Sequence, residues 1–234
     1  AEQGFGDMIQ FARFVPMVGK KAAHIILECR SELIPVMRTI AGVGTIVEKG
    51  AKLPPFDLHV PLLSLPHVMK INEAELHRVS AEPYLSAPKG KHARLSPPPG
   101  TVLKVGLIWA GKLNPRDRSC PLEKLMPLMA QKGACFYSFQ VDERRGDIAK
   151  LGANALITDM GEHIHDFGDS AALMKAMDLI ITIDSAPAHL AGALGVPVWM
   201  LQLYTTDWRW MVGRADSPWY PTMRIYRQEA PGDW

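Results

Sequence analysis

Asp184 and Ser185, followed by Ala186, Pro187, Ala188 and His189, form the stretch whose chemistry reads most clearly. It lies within residues 178–202, DLIITIDSAPAHLAGALGVPVWMLQ. Residues 179–183 are a short, β-branched apolar run, suited to a strand buried on both faces. Asp184 and Ser185 then supply N-cap chemistry, and Pro187 falls in the first helical turn, where a missing N–H matters least. Residues 188–194 read as helix, Gly195 sits where a left-handed cap is usual, Pro197 prevents continuation, and residues 198–201 read as the next strand. A helix N-terminus outside the carboxyl end of a parallel strand offers unpaired N–H groups and the positive end of the helix dipole. It is a standard place for a phosphate. Ala186 and Ala188 are small, so an anion can approach that backbone. The structural alternative is that Asp184 and Ser185 only cap a helix.

A second candidate is Gly4-Phe5-Gly6-Asp7. Two glycines beside an acid, followed by the amphipathic run 8–18, read as a tight turn entering a helix. Gly4 and Gly6 would let a ligand approach the backbone, and Asp7 at the edge of a cleft could act as a general base. Its structural alternative is helix capping. The third glycine of GxGxxG is absent, so this is not a dinucleotide fingerprint. Neither a GxxxxGK[ST] phosphate loop nor a GxSxG elbow occurs, and there is no DxD pair to hold a metal–nucleotide complex. His163 and His165 in GEHIHD could both reach a metal, but without further nearby ligands they read as a polar loop. Near the end, DWRWM (207–211) and SPWYP (217–221) concentrate tryptophan beside Arg209 and Arg214. Such residues could stack on a base or sugar ring and pair with phosphate. For Trp219 and Tyr220 a packed aromatic corner is the competing reading.

The elements that must position these residues alternate. Residues 22–28, 44–48 and 56–60 read as strands, and 31–40 as a helix. A Pro-, Lys- and Gly-rich stretch, 86–100, reads as a linker whose basic run, Lys89, Lys91, His92 and Arg94, is a solvated loop or a binding patch. A second α/β pattern follows: strands at 102–109, 134–140 and 154–157, helices at 122–131 and 170–177, and a last strand around Arg224 to Arg227. Alternation of this kind predicts parallel, doubly wound α/β sheets. Two such halves would leave a cleft between them, the usual place for a small-molecule site.

Composition narrows the class. The 234 residues are 47% hydrophobic and 21% charged, as in a soluble globular protein. A net charge of +2 argues against a nucleic-acid partner. Cys29, Cys120 and Cys135 are sparse and odd in number, which fits a reducing compartment better than a disulfide framework. No apolar run is long enough to span a bilayer and no signal peptide is evident, so a cytoplasmic location is expected.

DSAPAHLAGALGVPVWMLQ, followed by DWRWM, DSPWYP, MRIYRQ and GDW, resembles the glycosyltransferase domain found downstream of tetratricopeptide (TPR) repeats in bacteria. That group is related to the lipopolysaccharide heptosyltransferases of glycosyltransferase family 9. GFGDMIQFARFVP and VGLIWAG match the same family, so the resemblance covers nearly the whole chain. It implies a GT-B fold: an acceptor-side Rossmann-like domain at 1–95 with its first strand missing, and a nucleotide-sugar-binding domain at 96–234 with its final helix missing. A sheet edge exposed in this way would favour self-association. The resemblance also implies metal-independent, inverting transfer from a nucleotide-diphosphate sugar to a glycan, lipopolysaccharide or protein hydroxyl, with no separate cofactor. Asp7 would deprotonate the acceptor. Asp184, Ser185, Ala186 and Ala188, with His189 close by, would hold the donor pyrophosphate. The basic residue that related enzymes place after the first strand of the second domain falls at Arg118, with Lys112 and Arg116 as substitutes. Gln140 and Asp142 would face the nucleotide, and Asp207 and Arg209 complete the donor-side candidates. A GT-B epimerase or hydrolase, and a non-catalytic sugar-nucleotide or interaction module, are the alternatives.

Overall fold

The structure, a computed structural model, describes residues 4–113 and 116–234. Its N-terminal elements are α1 (Phe5–Ala12), α2 (Val15–Gly19), β1 (Ile26–Cys29), α3 (Ile34–Met37), β2 (Thr45–Glu48), α4 (Leu65–Val68) and α5 (Glu73–Ser80). Then come β3 (Leu103–Ile108), α6 (Leu122–Leu125), β4 (Ala134–Ser138), α7 (Asp147–Lys150), β5 (Ile157–Asp159) and α8 (Phe167–Lys175). The last elements are β6 (Leu179–Ile183), α9 (Ala186–Ala193), β7 (Val198–Gln202) and β8 (Met223–Arg227). Short 3₁₀ turns join several of these. Among the described residues no helix is long and apolar enough to cross a membrane.

Six parallel strands form the main sheet in the order β5-β4-β3-β6-β7-β8. The chain moves outward from β3 to β5, returns to β6 beside β3, and moves outward again to β8. The switch in direction falls between β3 and β6, where open α/β sheets place their ligands. β6 is buried along its whole length, as its unbroken apolar run requires. Alternate residues feed two cores. Val105, Leu107, Leu179, Ile181 and Ile183 face one, with Leu122, Phe136 and Ile148. Ile108, Ile180, Val198 and Met200 face the other, which is continuous with α1, α3 and β1.

Among the described residues the N-terminal sheet has two strands, β1 and β2, paired in parallel with Ile26 opposite Thr45. The strand expected at 56–60 does not form. Its alternation is present, but Phe56, Leu58 and Val60 are exposed at 51%, 91% and 41% with no neighbouring strand to pair. Pro54, Pro55 and Pro61 flank it and lack the N–H a ladder needs. The helix expected over 8–18 breaks after Ala12, because Pro16 cannot donate into it and instead starts α2. Pro127 likewise converts the second half of the helix expected at 122–131 into a 3₁₀ turn, Met126–Ala130. The strand expected at 154–157 shifts to β5, since Ala153–Ala155 turn as a 3₁₀ segment after Gly152, whose φ is +63°. The helix expected at 170–177 starts at Phe167, capped by Asp166 and Asp169.

The stretch 86–100 has no regular structure, yet it is tied down. Lys91 Nζ lies 2.7 Å from carboxylate oxygens of both Asp166 and Asp169, so part of the basic run is an internal clamp on the start of α8. Just upstream, the Tyr84 and Leu85 amides donate to the Ala193 carbonyl at the end of α9. These bonds and the α1–α9 packing fix the N-terminal elements against the six-stranded sheet.

Candidate functional site

α9 begins at the end of β6 with no side-chain cap. Ser185 takes the N-cap position in extended backbone, but its hydroxyl donates back to the Ile183 carbonyl at 3.3 Å. The first turn is finished by Ala186, Pro187 and Ala188, none of which carries a polar side chain. Pro187 has no N–H and the Ala188 N–H donates to the Ser185 carbonyl at 3.0 Å, so the Ala186 N–H and the helix dipole are what this turn offers an anion.

α1 runs along α9 and brings the glycine–Asp turn to this N-terminus. Gly6 makes that approach possible: a methyl on its Cα would stand 2.8 Å from His189 Cδ2 and 3.5 Å from the Ala186 Cα. His189 is buried beneath it, its Nδ1 2.9 Å from the Tyr220 hydroxyl. Burial, reinforced by the charges of Arg209, Arg13 and Arg118, pushes the imidazole down to about 3. It is neutral at any ordinary pH. His189 therefore belongs to the packed base of the site rather than to its charged surface.

Asp7 caps α1, as the structural reading expected, and both of its oxygens are engaged. One carboxylate oxygen accepts from the Gly4 amide at 3.0 Å, capping α1. The other pairs with Nη2 of Arg209. Arg209 Nη1 also donates to Asp207 at 2.8 Å, and its Nε donates to Gln10 Oε1 at 2.8 Å. On the far side of the α9 N-terminus, Arg118 Nη1 sits 3.3 Å from Asp184. Asp184 is buried; desolvation raises its carboxyl above the usual range, and Arg118 opposes that rise. Arg116 reaches the Thr205 hydroxyl at 3.0 Å, tying the loop after β3 to the loop after β7.

Asp7, Gly4, Gly6, Asp184, Ser185, Ala186, Ala188, His189, Asp207, Arg209 and Arg118 thus gather around one helix N-terminus. Gln140 and Asp142 do not join them in the same way. The Gln140 amide is buried and spent on Ala110, accepting from its N–H at 3.1 Å and donating to its carbonyl at 3.0 Å. Asp142 accepts from Gln140 and from the Arg144 amide. Gln140 thus braces the start of the loop after β3, and Asp142 caps the 3₁₀ turn Glu143–Gly146 that follows β4. Lys112 is exposed on the loop after β3.

Two contributors escaped the sequence reading. Gln10 is fully buried beside Arg209, and Arg13 is buried with Nη1 2.6 Å from Ser80 Oγ and from the Trp219 carbonyl. The Arg13 guanidinium also lies over the rings of Tyr84, Trp219 and Tyr220. The signal was their spacing: Asp7, Gln10 and Arg13 recur every three residues on an otherwise apolar helix.

The structure of a glycosyltransferase family 9 protein from Veillonella parvula aligns with 97% of this chain and 84% of its own, with a TM-score of 0.59 at 14% identity. E. coli ADP-heptose lipopolysaccharide heptosyltransferase II aligns with 97% of this chain and 88% of its own, with a TM-score of 0.60 at 13% identity. E. coli heptosyltransferase WaaC aligns with 99% of this chain and 92% of its own, with a TM-score of 0.54 at 13% identity. The chain has the GT-B glycosyltransferase fold.

Residues 164–230 match the family model of glycosyltransferase family 9 (heptosyltransferase). That segment of the GT-B fold contains β6, α9 and β7, and with them Asp184 to His189, Asp207 and Arg209. Protein FlbA of Caulobacter vibrioides is 28% identical across the whole chain. The chain spans 43% of that protein's length.

Proposed function

We propose that this chain is a glycosyltransferase that moves a sugar from a nucleotide-diphosphate donor to a hydroxyl of a glycan, lipopolysaccharide or protein acceptor. The observation that carries the reading is the contact of the Asp7 turn with the uncapped N-terminus of α9, at the carboxyl ends of β3 and β6. One side of that junction suits an anion, and the other holds a carboxylate. The donor diphosphate would lie against the Ala186 N–H at the start of α9, since Pro187 has no N–H and the Ala188 N–H donates to the Ser185 carbonyl, with Arg118 beside it. The acceptor hydroxyl would approach Asp7. As its oxygen bonds to the anomeric carbon, its proton passes to the carboxylate. The bond from that carbon to the diphosphate breaks, and a single displacement inverts the centre. Charge gathering on the departing diphosphate would meet the Ala186 N–H, the α9 dipole and the Arg118 guanidinium, which would do the work a metal does elsewhere.

A specific observation favours the non-catalytic alternative. Both Asp7 oxygens already have partners within the chain, the Gly4 amide and Arg209. As a base, Asp7 must accept a proton while Arg209 holds and orients it. Calorimetric titration with nucleoside diphosphates, without metal and then with magnesium, tests donor binding. ADP comes first, since one E. coli relative is an ADP-heptose transferase and another is bound to ADP-2-deoxy-2-fluoro heptose. Metal-independent binding, weakened when Ser185 and Ala188 are replaced by bulky acidic residues, is expected. Sugar release from a bound donor, abolished in Asp7→Ala with binding intact, would separate an enzyme from a binding module.

A further inference from the structure

Trp208 opens the 3₁₀ turn Trp208–Trp210 in the loop after β7, and its side chain is 62% exposed while Trp210 is fully buried. A single exposed aromatic is ordinary. A fixed one beside a candidate base is less so. The Trp208 ring meets the buried Trp219 edge to face at 6.1 Å between centroids, and the Arg209 guanidinium lies 4.7 Å from its centre. Trp219 is anchored in turn, its Nε1 donating to the Arg209 carbonyl at 3.0 Å.

The backbone beyond is held just as firmly. Met211 has φ +53° and ψ −174°, a conformation that side-chain-bearing residues rarely adopt. Arg227 Nη2 donates to the Met211 carbonyl at 2.6 Å, and Arg214 Nη1 sits 3.5 Å from its sulfur. Backbone of this kind persists only where the surroundings over-determine it, and such places cluster at ligand sites. The result is a rigid indole one residue from the guanidinium that grips Asp7.

We propose that Trp208 is the stacking platform for the acceptor sugar; this rests on the transferase reading above. The apolar C–H face of a pyranose would lie on the indole face opposite the Arg209 guanidinium, leaving a ring hydroxyl turned toward Asp7. Strand order distinguishes acceptor from nucleobase. In the proposed pose the diphosphate lies in the crevice between β3 and β6 with its nucleoside over the loops after β3 and β4. Trp208 follows β7, on the opposite side of β6.

Fluorine NMR of protein labelled with fluorotryptophan tests this, using methyl glucoside, methyl mannoside and methyl N-acetylglucosaminide with and without ADP. The resonance lost in Trp208→Phe identifies the residue. Expected is movement of that resonance with one glycoside, an affinity about tenfold lower in Trp208→Ala, and near-normal affinity in Trp208→Phe. Nucleoside diphosphate affinity should be the same in all three proteins. The proposal is overturned if no glycoside moves the resonance or if Trp208→Ala binds the glycoside normally. It is also overturned if ADP alone moves the resonance and loses affinity in Trp208→Ala, which would make Trp208 a base platform. The wild-type nucleotide titration judges the transferase reading separately: glycoside binding at Trp208 without any nucleotide binding would sink that reading and with it the acceptor role, leaving Trp208 a sugar-binding platform only.

Discussion

Gly6 and His189 meet where no side chain fits: a methyl on Gly6 would stand 2.8 Å from the imidazole Cδ2. This contact sets the distance between the Asp7 turn and the α9 N-terminus. Gly6→Ala should therefore destabilise the fold by roughly 1–3 kcal/mol, as overpacking does, and should weaken nucleotide binding by displacing α1. His189→Ala opens space at the same point, so the double variant should recover part of the loss. Urea unfolding of the two single variants and the double variant measures the coupling. Strictly additive losses would show that the two residues do not constrain each other.

Asp7 caps α1, and the proposed function gives it a chemical role as well; substitutions separate the two. Asp7→Asn keeps an oxygen for the Gly4 amide but loses the charge that Arg209 pairs with. Turnover of a competent donor–acceptor pair should fall by about 10²–10⁴-fold, the usual contribution of a positioned base. Nucleotide affinity should stay within a few-fold, because the carboxylate does not touch the diphosphate in this reading. A parallel fall in affinity and turnover would assign Asp7 to binding instead.

Arg118 and Asp184 flank the anion site from the sheet side. Arg118→Ala should weaken nucleoside diphosphate binding by about 10-fold to 100-fold, the range for one charge-assisted hydrogen bond. The salt dependence of binding should flatten as well. Stability should change little at acid pH and more at neutral pH. Burial already raises the Asp184 carboxyl, and an unpaired carboxylate in that place is relieved only by protonation. Calorimetry at two ionic strengths and unfolding at two pH values test both parts. Unchanged affinity would move the diphosphate away from this side of α9.

The unit β6–α9–β7 was legible because its signals are local: a β-branched run, a proline in the first turn, and a glycine and proline at the exit. The strand-to-helix turn at Asp184–His189 was legible for the same reason, whereas for Asp7 the local residues supported only the helix cap now seen, and its proposed role as a base came from the family resemblance. The stretch 56–60 misled because alternation describes one strand, whereas a strand exists only with a partner. Gln10 and Arg13 escaped because their roles depend on contacts spanning 199 and 206 residues. The strand expected at 134–140 ends at Ser138, so Gln140 lies two residues beyond it, and which way its amide turns depends on the Ala110 backbone across the sheet.

His189 gives the site a pH signature of known sign. The imidazole is held down to about 3 when folded, chiefly by burial, against about 6.5 in an unfolded chain. Between those values the unfolded chain binds the extra proton, so stability is full above about pH 6.5 and is lost as pH falls toward 3. The slope from this one group approaches about 1.4 kcal/mol per pH unit at most. His189→Gln keeps a polar side chain near Tyr220 and removes the titration. The variant should be less stable than the parent at pH 7, having lost a fitted ring. The gap should narrow steadily as pH falls from 6.5 to 4.5, because only the parent must then exclude a proton from its core. Urea midpoints at four pH values measure this. A constant gap would mean that His189 accepts the proton without leaving its place, and that the cluster of Arg13, Arg118 and Arg209 does not oppose it.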